Sequence, residues 1–342
     1  MSSEIKFGIF TDLHVDIMHD AEARLEEFLS VARAENVDFI IQLGDFCYPD
    51  EGRRCDCDDL SLPVNLKNSL KHPSYANKEK IRAIYRDFEK PSYHVIGNHD
   101  CDMCSKKQIL DYHGAEYGAY YSFDVGDFHF VVLDANYYME DGEYFSYEHG
   151  NYFGKTPGKT RTLPYLAPEE LRWLEYDLDS TDKPTVIFSH QSLREGASRA
   201  ILNAADFREA IENRKSRVLA CFNGHIHIDG ATKDRDVWYM HINSISNHWM
   251  GEEFACFGRY GADIDEKYPD IRHVAPYSKA LFAIVTLDGH GACIKGQRGE
   301  FVGKSPEELD YYVKKRGREL ITLGEPRVTP SIEDRYLSFG DN

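Results

Sequence analysis

The sequence predicts an α/β chain: one domain with two sheets, helices outside them, and a terminal extension. Three observations carry that expectation. Apolar runs alternate with helical patterns from residue 5 onward, so the opening units read as βαβ crossovers with parallel strands. Alternating residues on both sides of Gly126-Asp127 add an antiparallel hairpin. Finally, five apolar runs end in polar residues, at the rim of the sheet where α/β proteins place their sites.

The elements follow in order. Lys6–Phe10 reads as a strand running into Thr11-Asp12-Leu13-His14. Ala21, Leu25, Phe28, Leu29 and Ala32 recur at helical spacing, ending near Asn36. Phe39–Leu43 forms the second strand and delivers Gly44-Asp45. Residues 47–75 lack periodicity and read as a lid-like insertion. A helix over Lys78–Glu89 precedes the strand that ends Val95-Ile96-Gly97-Asn98-His99-Asp100. After the hairpin (Tyr121–Val125 and Phe128–Val132), residues 136–166 form a second irregular insertion rich in Tyr, Gly and Lys. Pro168-Glu169-Glu170 opens a helix, with proline and acids where a first turn favours them. Thr185–Phe188 delivers Ser189-His190, a helix spans Ala204–Ile211, and Val218–Phe222 runs into Asn223-Gly224-His225-Ile226-His227. Val237–Ile242, Phe282–Asp288 and Ala292–Gln297 close the sheets. Ser305-Pro306-Glu307-Glu308 caps a last helix before an irregular tail. The expected division is a domain over residues 1–303 and a C-terminal helix and tail, 304–342, packed on it.

The formal net charge of −18 over 342 residues disfavours nucleic acid and anionic membranes as partners. No apolar run approaches the ~18–20 residues of a membrane helix, and no signal-peptide pattern opens the sequence. The expected location is therefore cytoplasmic, with the eight cysteines reduced. Oligomeric state has no sequence signal.

The strand ends together supply Asp12, His14, Asp45, Asn98, His190, His225 and His227. Each alone has an ordinary structural reading as a turn cap or a buried, satisfied side chain. Seven of them at the carboxyl ends of apolar strands form the donor set of a pair of divalent ions, Mn, Fe or Zn. Two close metals need a bridging carboxylate, with imidazole and amide donors filling the remaining positions.

In this order the motifs Asp12-x-His14, Gly44-Asp45, Gly97-Asn98-His99-Asp100, His190 and Gly224-His225-x-His227 resemble those of the calcineurin-like metallophosphoesterases. The resemblance implies a four-layer α/β/β/α sandwich of two mixed sheets and a dinuclear site. It implies that Asp12, His14 and His227 bind one ion, that Asn98, His190 and His225 bind the other, and that Asp45 bridges them. His99 would face the substrate phosphate. The Ser/Thr protein phosphatases of the family extend the second motif as Gly-Asp-x-x-Asp-Arg-Gly, whereas Tyr48 and Pro49 stand at those places here. Leu133-Asp134-Ala135-Asn136 and the helix containing Glu170 and Trp173 look more like the cyclic-nucleotide phosphodiesterase and the ADP-ribose/CDP-alcohol diphosphatase branches. His14 departs from the Gln that the diphosphatases often carry.

The expected activity is hydrolysis of a small phosphodiester or pyrophosphate, nucleotide-like, by a hydroxide bridging two metals. Asp45, Asn98 and His99 are the expected catalytic residues; Asn98, His99 and Tyr152 are the expected substrate contacts. Asp100 could orient a histidine or simply close a turn. Tyrosines of the second insertion could stack on a base or form a satellite core, and Lys155, Lys159 and Arg161 could meet a second phosphate. Rival readings are a phosphomonoesterase, a scaffold without functional metals, and a redox or zinc protein using Cys55-x-Cys57 or Cys101-x-x-Cys104.

Overall fold

A computed structural model describes residues 4–15, 17–46, 73–102, 104–152, 163–314 and 327–340. Most of the described strands lie in two six-stranded sheets. In the first, β1 (Ile5–Phe10), β2 (Phe39–Gln42) and β3 (Ser92–His94) run parallel. Beside β1, β14 (Ala283–Leu287), β15 (Gly291–Lys295) and β16 (Arg335–Ser338) add antiparallel strands. In the second, β5 (Phe128–Val132), β8 (Thr185–Ser189), β9 (Val218–Asn223) and β11 (Val237–His241) are parallel. Antiparallel β4 (Tyr121–Val125) and β10 (Gly230–Asp234) occupy its edges.

The central strands read as unbroken apolar runs because both of their faces are buried. One face of each sheet meets the other sheet: Phe7 stacks on Phe39 at 5.0 Å and meets Phe130, Phe188 and Phe222 edge-on. The opposite face of the first sheet takes Leu25, Phe28 and Leu29 of α1 (Ala21–Ala34) onto Phe10, Ile40 and Phe282. That of the second takes α4 (Pro168–Asp179) and α5 (Ala204–Ile211) onto Val131, Ile187 and Cys221. The result is the α/β/β/α sandwich, and it places the carboxyl ends of β1, β2, β3, β8 and β9 at one rim. Among the described residues no helix is long and apolar enough to cross a membrane.

Several elements differ from the sequence reading. The helix expected at 78–89 is α2, Pro73–Arg86. The strand before Gly97 stops at His94, although Val95 still donates its N–H to Gln42 O at 2.9 Å. A further helix, α3 (Lys106–His113), starts with a Ser105–Gln108 capping box and ends on Gly114 in the left-handed region. The second insertion, expected to be irregular, contains a hairpin of β6 (Tyr137–Glu140) and β7 (Glu143–Ser146). Its turn is Asp141-Gly142, with φ of +51° and +86°. Another small ladder, after β11 in the chain, pairs β12 (Asn247–Trp249) with β13 (Val274–Pro276). The capping box at Ser305 forms, but a turn follows it; among the described residues the helices after α5 are α6 (Ala262–Lys267) and α7 (Tyr311–Lys314). Finally, the tail is not irregular throughout, because Arg335 on β16 grips the buried Asp229 with both guanidinium arms. Tyr48, Pro49, Cys47, Cys55, Cys57, Lys155, Lys159 and Arg161 lie outside the described residues.

His129 ties the second sheet to its helix layer. Its Nδ1–H donates to Asp124 at 2.7 Å and its Nε2–H to Asp177 on α4 at 2.8 Å. Burial alone would lower its proton affinity; Asp177 and Asp124 outweigh that and raise it above the usual histidine value. The unfolded chain releases this proton at lower pH, so the stabilisation is full below about pH 6.5 and fades as pH rises through the folded value. His129→Gln should destabilise the protein by about 1–2 kcal/mol at pH 6, with half-exposed Asp124 limiting the effect. Denaturant titrations of both proteins at pH 6 and pH 9 check this, since the gap should narrow at the higher pH.

Candidate metal centre

The turns leaving β1, β2 and β9 hold their polar residues in an unusual backbone conformation. Asp12, His14, Asp45, His225 and His227 all have φ between +48° and +68°. Non-glycine residues pay roughly 1–2 kcal/mol for this region and keep it only where the surroundings enforce it, which is characteristic of functional sites. The glycines beside them are required by space. A Cβ on Gly97 would fall 2.1 Å from Asp45 N, and one on Gly44, at φ +97°, would fall 2.6 Å from both Gly97 N and His190 Nδ1.

These turns gather two clusters. Asp12, His14 and His227 form one, Asp45, His190 and His225 the other, and within each the ligand atoms lie no more than 4.8 Å apart. His227 Nε2 is 3.1 Å from Asp12 Oδ1 and 3.2 Å from His14 Nε2. His190 Nε2 is 3.2 Å from both Asp45 Oδ2 and His225 Nδ1. Asp45 Oδ2 also lies 3.9 Å from His14 Nε2, so one carboxylate oxygen faces both clusters. Its other oxygen accepts the His99 N–H at 2.7 Å, while Asp12 Oδ2 accepts the His225 N–H at 3.1 Å and the Thr11 hydroxyl at 2.6 Å.

Backbone carbonyls fix the imidazole tautomers. His190 Nδ1–H donates to Leu43 O and His227 Nδ1–H to Asn247 O, each at 2.7 Å. Both Nε2 atoms therefore aim lone pairs at carboxylates and at other imidazoles. Acceptors facing acceptors at 3.1–3.2 Å need a cation or a proton between them. Without a metal the proton wins at His190: burial opposes it, but Asp45 and Asp12 push the imidazole up to about 9. Burial alone would raise the Asp45 carboxyl, yet His190, His99 and His14 hold it well below the usual range. Burial also drives His14 down to about 3, and burial with His190 and Arg199 drives His225 well below its ordinary value. Neutral imidazoles and ionised carboxylates are the states that bind a divalent ion. Asn98 carries a buried Oδ1 that, among the described residues, accepts no hydrogen bond. The residues present thus fit a pair of divalent ions.

His99 lies beside this centre, its ring edge-on to His14 at 5.8 Å. Its Nδ1–H donates at 2.7 Å to Asp102, a residue the sequence reading passed over; the two meet because residues 99–102 form one 3-10 turn. Asp100 closes the turn, accepting the N–H groups of Asp45 and Gly97 at 3.0 and 2.8 Å. Tyr152, expected as a substrate contact, sits in the interior of the second insertion. It is buried, lies flat on Tyr147 at 4.3 Å in a small core with Ile96 and Cys101, and donates its hydroxyl to Asp102.

Other supports were invisible as motifs. Gln191 donates to Asn136 at 2.8 Å, and Asn136 donates to Ile96 O and to Asp134, lacing the ends of β5 and β8 to the residue before Gly97. Ser244 donates to Asp12 O at 2.9 Å, and Arg24 of α1 donates to the carbonyls of Ile245, Tyr277 and Lys279. Cys101 and Cys104 are not bonded to each other, and burial pushes the Cys101 thiol well up, opposite to what a reactive pair needs.

Residues 5–229 match the model of the family described as calcineurin-like phosphoesterase. No curated protein sequence matches significantly. Among solved structures, a dimetal phosphatase from Danio rerio is similar with a TM-score of 0.60 and 18% identity, over 88% of this chain and 99% of that one. GAP50, the anchor in the inner membrane complex of Plasmodium, matches with a TM-score of 0.47 and 14% identity over 96% and 99% of the two chains. A purple acid phosphatase from yellow lupin (Lupinus luteus) seeds matches with 0.43 and 14% identity, over 87% of this chain and 52% of that one.

Proposed function

The chain belongs to the calcineurin-like phosphoesterase family, and from that premise we propose that it hydrolyses a small phosphodiester or pyrophosphate, nucleotide-like, at a two-metal centre. The observation that carries the reading is the pair of facing donor clusters with Asp45 Oδ2 between them. Asp12, His14 and His227 would hold one ion, His190, His225 and Asn98 the other, and Asp45 both. Bound there, two divalent ions supply Lewis acidity toward the phosphoryl oxygens and acidify water at neutral pH.

The chain's own residues do the rest. Asn98, at the rim beside His99, offers its amide group to a non-bridging phosphoryl oxygen, where charge concentrates in the transition state. His99 is held by Asp102 so that Nε2 is the nitrogen that serves substrate. In its cationic form it gives the Nε2 proton to the leaving oxygen as the P–O bond breaks.

A small diester is favoured over a phosphoprotein because the second insertion packs onto the strand end that carries Asn98. Tyr138, Tyr147 and Tyr152 bury Ile96 and Cys101 there and wall that side of the centre. Tyr48 and Pro49, in place of the Asp and Arg of protein phosphatases, point the same way. The test is a hydrolysis screen with manganese, iron or zinc restored, comparing a monoester, a linear diester, a cyclic nucleotide and a nucleoside diphosphate derivative. Higher kcat/KM for a diester or pyrophosphate is expected. Preference for the monoester by tenfold or more would make the protein a phosphomonoesterase instead.

A further inference from the structure

Tyr152 belongs to the second insertion, yet its hydroxyl ends among the residues that would face substrate. It donates to Asp102 Oδ1, while the other oxygen of that carboxylate accepts His99 Nδ1–H at 2.7 Å. The same hydroxyl lies 3.5 Å from Asn98 Nδ2. Asp102 is buried, and the Tyr152 ring is clamped by Tyr147 at 4.3 Å, nearly parallel, with Tyr138 of the β6–β7 hairpin tilted behind Tyr147 and Phe145 stacked on Tyr138. The backbone is fastened as well: His149 N–H donates to Cys104 O and Gly150 N–H to Cys101 O, at 3.1 and 3.0 Å, on either side of residue 102.

An imidazole on one carboxylate oxygen and a hydroxyl on the other both resist rotation of the carboxylate about its terminal bond, and with it the swing of the ring. We propose that Tyr152 is a positioning residue: through Asp102 it sets the orientation of the His99 ring, so that the second insertion serves to aim the proton donor. This rests on the reading of His99 as the group that protonates the leaving oxygen.

The test is a double-mutant cycle with Tyr152→Phe and His99→Ala, which removes only one hydroxyl in the first case and leaves the Tyr147 stack in place. With an alkyl phosphodiester, Tyr152→Phe should lower kcat by roughly 10-fold with KM unchanged. With bis-nitrophenyl phosphate, whose leaving group needs no proton, kcat should stay within about twofold. In the His99→Ala background Tyr152→Phe should have no further effect, because a residue acting through His99 is silent once His99 is gone. Asp102→Asn should reproduce the pattern. Equal losses from Tyr152→Phe in both backgrounds, or no loss in either, would overturn the proposal.

A second readout does not depend on turnover. The hydrogen-bonded Nδ1–H of His99 should give a low-field proton resonance, absent in His99→Ala and displaced in Tyr152→Phe. An unmoved resonance would also overturn the proposal. If His99→Ala shows no leaving-group dependence while Tyr152→Phe moves the resonance, the assignment of His99 as acid fails and the positioning by Tyr152 stands.

Discussion

His99→Ala is expected to keep both metal clusters and to lower kcat by ~10²–10⁴ for esters with poor leaving groups, the range of a lost general acid. The clusters survive because the ring, edge-on to His14 at 5.8 Å, is not a member of either donor cluster, while the His99 contact to Asp45 is made by its backbone N–H. That N–H is present in alanine. The loss should shrink toward tenfold or less for nitrophenyl leaving groups, which depart as stable anions. Steady-state kinetics over a series of leaving groups measures this directly. A loss of one size across the series would assign His99 electrostatic stabilisation of the phosphoryl group alone.

The other large effect is expected at Asp45. Its Oδ2 is the carboxylate oxygen set between His14 and His190, at 3.9 and 3.2 Å, and the residue is buried. Asp45→Asn removes the negative charge facing both clusters. It also forces either an amide N–H toward imidazole lone pairs or an amide N–H against the His99 N–H. Occupancy of both ions should fall, and kcat should drop by about 10³-fold or more, since two-metal hydrolysis loses both its charge stabilisation and its activated water. His225→Ala should chiefly empty one position. Elemental analysis of the three proteins after dialysis distinguishes these outcomes.

The strand ends were legible because burial on both faces makes each core strand an apolar run, and a run that stops at Gly-Asp or Gly-Asn marks the rim without ambiguity. What escaped was of four physical kinds. The hairpin of β6 and β7 is aromatic on both faces, so buried Tyr138 and exposed Met139 show no contrast, although Asp141-Gly142 marked its turn. Asp102 needs the tight turn of residues 99–102 to reach His99, and Asp100 stood nearer in sequence. The carbonyls of Leu43 and Asn247, which set the tautomers of His190 and His227, are backbone atoms that no side-chain pattern reveals. Similarly, β16 is held by Arg335 on Asp229, a pairing across the chain that local alternation cannot anticipate.

The most direct test is calorimetric titration of the metal-stripped wild-type chain with Mn²⁺ or Zn²⁺, followed by assay of a diester at each point. Two ions per chain should bind, with hydrolysis appearing only as the second position fills. Saturation at one ion with full activity, or two bound ions with no hydrolysis of any phosphoester, would contradict a catalytic centre shared by Asp12, His14, His227, Asp45, His190 and His225.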